Sequence, residues 1–210
     1  MNFKVKALLA IVAVSASSLA LAQNKNFTGF SAGVNANFAD NKAEFSGAGL
    51  VGALATKSNQ SDQNASLQGQ YGFGISDKFV VGLGVTYGIG ELKAGSFSPA
   101  AGVSISSKLK DVYSINIEPG YVVSASTLAY AKVAFVNAKA EGTQTGGAGG
   151  SVSGNLTGTG FGVGFRTMLT GKLYLQGEYV QTSFDKKNIG TGVDVKADMG
   201  TASIGVGYNF

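Results

Sequence analysis

The chain has no cysteine, no histidine and no tryptophan, and only two prolines in 210 residues. Without cysteine there is neither a disulfide framework nor a thiolate metal site. Without histidine the usual general base of neutral-pH chemistry is missing, and so is imidazole ligation of metal or haem. Charge is scarce too: Asp, Glu, Lys and Arg make up 13% of the residues, against about 25% in soluble domains. No GxxxxGK(S/T) phosphate loop occurs. After residue 22 no apolar run approaches the ~18–20 residues that a membrane helix needs. These absences argue against an enzyme and leave no catalytic, metal or cofactor-binding residue to name; no cofactor is expected.

The start of the chain, MNFKVKALLAIVAVSASSLALAQ, has the form of a secretory signal peptide. Lys4 and Lys6 make its positive end, Ala7 to Val14 its apolar core, and Ala20-Leu21-Ala22 its cleavage site. The expected organisation is therefore a cleaved signal over 1–22 and one barrel domain over 23–210. Loss of Lys4 and Lys6 lowers the formal net charge from +4 to +2, so basicity is no argument for a nucleic-acid partner.

Glycine is abundant, 32 of 210 residues, about twice the usual ~7%. The glycines follow a period of two. One parity carries Phe30, Ala32, Val34, Ala36 and Phe38, then Leu67, Gly69, Tyr71, Phe73 and Ile75. It continues through Phe79, Val81, Leu83, Val85, Tyr87 and Ile89, and through Tyr113, Ile115, Ile117 and Tyr121. The later segments are Ala129, Ala131, Val133 and Phe135; Phe161, Val163 and Phe165; Leu173, Leu175 and Tyr179; and Ile204, Val206, Tyr208 and Phe210. The opposite parity is mostly Gly, Ser, Thr, Asn and Gln. Such alternation predicts eight strands, each with one apolar face.

Three connections are short, near 76–78, 123–126 and 169–172; four are long, about 39–64, 92–109, 140–154 and 185–197. This is the plan of an all-β, eight-stranded antiparallel up-and-down transmembrane barrel, with both termini on the short-turn side. The apolar stretch 43–58 fits as part of the first long loop, extending its hairpin above the membrane. The last strand is expected to close the barrel against 27–38. A soluble barrel would need a wet exterior, and the small, uncharged second face cannot supply one. The apolar parity therefore faces lipid. Aromatics gather near both strand ends, as girdles would: Phe73, Phe79, Tyr121, Phe165, Tyr208 and Phe210 low; Phe38, Tyr87, Tyr113, Phe161 and Tyr179 high.

Four charges fall on the luminal parity: Glu118, Lys132, Arg166 and Glu178. A hairpin turning near residue 125 sets Glu118 opposite Lys132. One near 171–172 sets Arg166 level with Glu178 or one diagonal step away, within ion-pair reach in each case. Two readings stand: a gate across a narrow pore, or buried charges that simply need partners.

The stretches YGFGISDKFVVGLGVTYG (71–88), SINIEPGYVVS (114–124), LYLQGEYV (173–180) and the terminal GVGYNF resemble the small outer-membrane β-barrel proteins of Gram-negative bacteria. The likeness is to the OmpX/Ail type and the transmembrane domain of OmpA. It implies a monomer in the outer membrane, in contact with lipid and lipopolysaccharide, with both termini periplasmic. It also implies that Ile204, Val206, Tyr208 and Phe210 form the signal read by the barrel-assembly machinery, with periplasmic chaperones on the way. The missing tryptophan departs from that pattern, as does Pro119, which should forfeit a ladder hydrogen bond. No periplasmic tether domain is expected. What remains is a structural or surface-interaction role in membrane integrity, adhesion or resistance, with a host or surface ligand for the loops, or a narrow passive pore for water or small solutes. The proposed loops and adjoining strand ends carry nine lysines and nine acids, which makes no strong basic patch.

Overall fold

The computed structural model describes residues 25–47, 56–146, 150–188 and 193–210. The expected signal peptide lies outside the described residues. Among the described residues a 3-10 turn, Lys25–Phe27, precedes ten strands. They are β1 (Gly29–Gly47), β2 (Thr56–Gly74), β3 (Phe79–Ile89), β4 (Leu92–Ala100) and β5 (Val103–Ser124), then β6 (Thr127–Thr145), β7 (Gly150–Met168), β8 (Leu173–Phe184), β9 (Lys187–Asn188) and β10 (Val193–Asn209).

All neighbours are antiparallel, in the order β1-β2-β3-β5-β6-β7-β8-β10, and β10 returns to β1 from Ser31↔Asn209 to Gly47↔Val193. Closure removes the unpaired edges that lipid could not hydrogen-bond. Both β3 and β4 pair with β5, and both β8 and β9 pair with β10. Each couple is thus one interrupted stave, and the barrel has eight. The first interruption has a local cause: Gly90 takes φ 90°, and across from it Asp111 takes φ 50°, a region open to glycine and tolerated by aspartate.

Alternation places the faces. Ile115, Phe161 and Val163 are 61%, 63% and 64% exposed on the outside, while Asn116 and Glu118 between them in the lumen are 1% and 2% exposed. A water-soluble barrel would reverse this. Luminal glycines make room for large neighbours: a side chain on Gly207 would collide with the Tyr174 ring, and one on Gly164 with Tyr130. Pro119 pairs with Val81 on one side. On the other, the β5–β6 partners stop at Ile117↔Val133 and resume at Gly120↔Tyr130, consistent with the missing donor.

The long loops expected from the sequence are largely strand. β1 and β2 are each 19 residues long, about twice the 9–11 that cross a bilayer. Residues 92–109 form most of the β4–β5 hairpin, and β6 and β7 continue to Thr145 and from Gly150. Of the 43–58 stretch, 43–47 end β1 and 56–58 begin β2, and 48–55 lies outside the described residues. The wall also divides as it rises. The β2–β3 ladder ends at Ala65↔Ile89 and the β7–β8 ladder at Gly158↔Phe184. Above these points the staves form two leaves, β9-β10-β1-β2 and β4-β5-β6-β7. Their inner faces enclose Ala39, Leu92, Leu109, Val136, Leu156, Phe184 and Met199 in one apolar cluster. Outside the bilayer the solvent is water, so the apolar side turns inward.

The closing pairing begins at Ser31, not at residue 27. Phe27 sits in the 3-10 turn and tucks its ring inward, 4% exposed, against Val80, Val122, Leu128 and Tyr130. Asn26 Nδ2 donates to Ala125 O at 2.9 Å across the floor, and the Asn209 side chain donates to Asn26 O.

Candidate functional site

The lumen is layered. Its floor is the Phe27 cluster. Above it lie the four luminal charges, one from each of four staves: Glu118 on β5, Lys132 on β6, Arg166 on β7 and Glu178 on β8. Lys132 Nζ stands 3.1 Å from Glu118 and 2.7 Å from Glu178. Arg166 lies 3.5 Å from Glu118 and donates to Gln70 Oε1 at 2.6 Å and to Gln176 Oε1 at 2.9 Å. Gln70 Nε2 donates to Glu118 at 2.8 Å, and Tyr130 OH to Glu178 at 3.0 Å. Tyr174 faces the Arg166 guanidinium at 4.8 Å, a cation–π distance. The result is one chain, Arg166–Glu118–Lys132–Glu178, formally neutral.

The pair expected between Arg166 and Glu178 is not formed. The register sets Arg166 opposite Gln176 and Glu178 opposite Gly164, one diagonal step apart. Arg166 is spread over Gln176, Gln70 and Glu118, and Lys132 takes Glu178. The lattice also contains Gln68, Gln70, Gln176, Tyr130 and Tyr174, which the sequence reading did not single out. Their luminal parity beside the charges was the available signal.

Above the charges a polar ring is bonded to itself. Asn37 donates to Asn64 at 3.0 Å and accepts from Ser203 at 2.9 Å, while Asn35 donates to Ser66 at 3.3 Å. A cavity of about 100 Å³ lies between this ring and the apolar roof of Leu92, Val136 and Met199. Above the upper aromatic girdle, the outer face carries an ion-pair ladder. Lys108 meets Glu91 at 2.8 Å, and Lys110 meets Glu91 at 2.9 Å and Glu141 at 2.7 Å. Lys108, then Lys110, hold the Glu91 carboxyl below the usual range; Lys110 does the same for Glu141, and Glu141 with Glu91 pushes Lys110 upward.

A closed antiparallel barrel with lipid-facing aliphatics, aromatic girdles and internally neutralised charges is an integral outer-membrane β-barrel. The chain belongs to the outer membrane protein beta-barrel domain family, whose model matches residues 7–210. No curated protein matches it in sequence. Among solved structures it is similar to Ail, the attachment invasion locus protein of Yersinia pestis, at 14% identity and TM-score 0.49, covering 87% of this chain and 100% of that one. Neisserial surface protein A is similar at 20% identity and TM-score 0.43, covering 85% and 97%. The outer membrane protein OprG of Pseudomonas aeruginosa is similar at 14% identity and TM-score 0.38, covering 87% and 96%.

Proposed function

We propose that the protein is a closed barrel acting through its projecting leaves, in membrane integrity, adhesion or resistance, and neither by catalysis nor by steady conduction. The observation that carries this is the burial of the luminal charges: Glu118, Lys132 and Arg166 are 2%, 5% and 3% exposed. A water-filled channel would leave them wet. Glu118 and Glu178 are each tied to cations, so these two luminal acids do not form a free pair for hydrolysis. Rigid scaffolds that hold exposed elements are common recognition devices, and here the leaves rise well beyond the bilayer.

On this reading the short turns and both termini face the periplasm and the leaves face outward among lipid and lipopolysaccharide. The protein is a monomer. Ile204, Val206, Tyr208 and Phe210 present an outward apolar stripe, aromatic at its end, to the assembly machinery and its chaperones. A host or surface ligand would meet the leaves. A narrow passive pore is the second reading, favoured by the luminal cavity. Refolded protein, verified by heat-modifiable gel migration, should stay silent in planar bilayers; steady single-channel steps would overturn the closed-barrel reading. A deletion strain should lose membrane integrity, adhesion or serum resistance, and no change in any of the three would overturn the surface role.

A further inference from the structure

The cavity and the split in the wall above it belong together. The cavity is bordered by Asn64 on β2 and Leu92 on β4, just beyond the point where the β2–β3 ladder ends at Ala65↔Ile89. Among the described residues no backbone ladder joins β2 to β4. Side chains hold β4 there instead. Asp62 Oδ2 accepts from Lys93 N at 2.8 Å, and Asn41 Nδ2 donates to Lys93 O at 2.8 Å. β4 is bounded by Gly90 at φ 90° and Gly102 at φ 75°, and its pairing with β5 slips twice. β4 is thus held on one side by an irregular ladder and on the other by two side chains on one residue, a weak seam in the wall.

The cavity lining is segregated. Its lower side is polar: Asn35, Asn37 and Ser203, whose groups are largely bonded to one another, with the paired Lys132 and Glu178 beneath them. Its upper side is Leu92, Val136 and Met199. One lining group is left over: Thr201 Oγ1 is buried and has no partner among the described residues. A buried hydroxyl without a partner costs free energy, and a ligand with one polar end would satisfy it. A dry apolar cavity of about 150 Å³ accommodates benzene; one of about 100 Å³ suits about four to six heavy atoms. We propose that this space is a binding site for a small amphiphile such as a short-chain alcohol. Its hydroxyl lies at Thr201 and its tail against Leu92, Val136 and Met199, and it enters through the slit between β2 and β4. Asp62 is the latch of that entrance.

The site is tested by fluorine NMR of 2,2,2-trifluoroethanol with the full chain folded in detergent micelles, folding being checked by heat-modifiable migration. The wild-type protein should show a saturable bound state. Ala134→Leu, which fills the cavity, should abolish it, and Thr201→Val should weaken it at least fivefold. Thr201→Val is nearly isosteric and carries the test alone if Ala134→Leu does not fold. Asp62→Ala should speed exchange several-fold with little change in affinity. No saturable binding, or equal binding in wild-type and Thr201→Val proteins, overturns the site. An unchanged exchange rate in Asp62→Ala overturns the entrance.

Discussion

Lys132 and Glu178 meet at 2.7 Å although their strands, β6 and β8, share no ladder and β7 runs between them. The bond therefore spans a corner of the lumen. Lys132 also holds Glu118 at 3.1 Å, so one ammonium serves two carboxylates. Lys132→Ala leaves Glu118 with Arg166 alone and Glu178 without a cation. Breaking a buried ion pair by removing one member costs about 3–5 kcal/mol. The expected outcome is a loss in that range, read as a lower urea midpoint for the heat-modifiable form. A change near zero would mean that the lattice is hydrated in the membrane.

Glu118→Gln separates stability from gating. The amide keeps the shape and can still accept from Gln70, but Arg166 and Lys132 are left with one carboxylate between them. Hydrogen bonds to charged groups are worth about 1.5–3 kcal/mol, so a smaller loss than for Lys132→Ala is expected. Bilayer recordings of the variant should remain silent. Steady openings that are absent in the wild type would favour the narrow-pore reading.

How much of this was readable in advance differs along each strand. Within the bilayer the period-two signal is plain, because lipid demands an apolar outer face at every second residue. That legible part includes Phe79 to Ile89 and Ile204 to Phe210. Above the girdle the same strands invert: Ala39 and Met199 turn inward, while Asp40 and Lys42 turn out to water. An inversion halfway along a strand looks like a loss of pattern, and residues 39–64 then pass for loop. The Glu118–Lys132 proximity followed from hairpin arithmetic. The choice of Arg166 between Glu178 and Glu118 did not, since it depends on staves distant in sequence. Phe27 gave no signal because its partners come from three other strands and turns.

The Phe27 stopper makes its own prediction. Its ring is buried among Val80, Val122 and Leu128, and truncating a buried phenylalanine costs about 3–5 kcal/mol. Phe27→Ala should therefore destabilise the folded barrel by about 3 kcal/mol in denaturant titrations. The Lys132–Glu178 bond lies a layer higher but touches the floor through Tyr130, which packs on Phe27 and donates to Glu178, so combined Phe27→Ala and Lys132→Ala losses should depart from their sum by only about 0.5–1 kcal/mol. Strong non-additivity would mean that floor and lattice form one unit.

The outer ion-pair ladder sets a pH dependence. Glu91 and Glu141 have carboxyls depressed below the ordinary 4.5 by Lys108 and Lys110. Their contribution to leaf stability is present above 4.5 and is lost as pH falls through the depressed values. Lys110 is raised above the ordinary 10.5, so its contribution holds below 10.5 and is lost at higher pH. Carbon NMR titration should place both glutamate inflections below 4.5. Lys110→Met should move Glu141 upward, toward the ordinary value. Because Glu91 is exposed and Lys110 and Glu141 are partly exposed, added salt should shrink the shifts. Inflections at or above 4.5 would mean that the ladder does not form in solution.

Phe210 separates assembly from stability. Its backbone N–H donates to Phe30 O at 2.9 Å and its ring stands 5.7 Å from Phe30 and 5.2 Å from Tyr208. The residue is nevertheless 70% exposed, toward lipid, so a folded barrel gains little from its burial. The seam beside it is held by the ladder from Asn209 to Val193, which a one-residue truncation leaves intact. Deleting Phe210 should therefore change detergent unfolding by less than about 1 kcal/mol, as expected for a contact at the edge of a cooperative sheet. If the terminal aromatic stripe is the recognition element, the same deletion should sharply reduce the folded fraction recovered from outer membranes after a short expression pulse. Equal recovery of truncated and full chains would remove Phe210 from the assembly signal, while a large loss of stability in detergent would make its role that of a seam clamp.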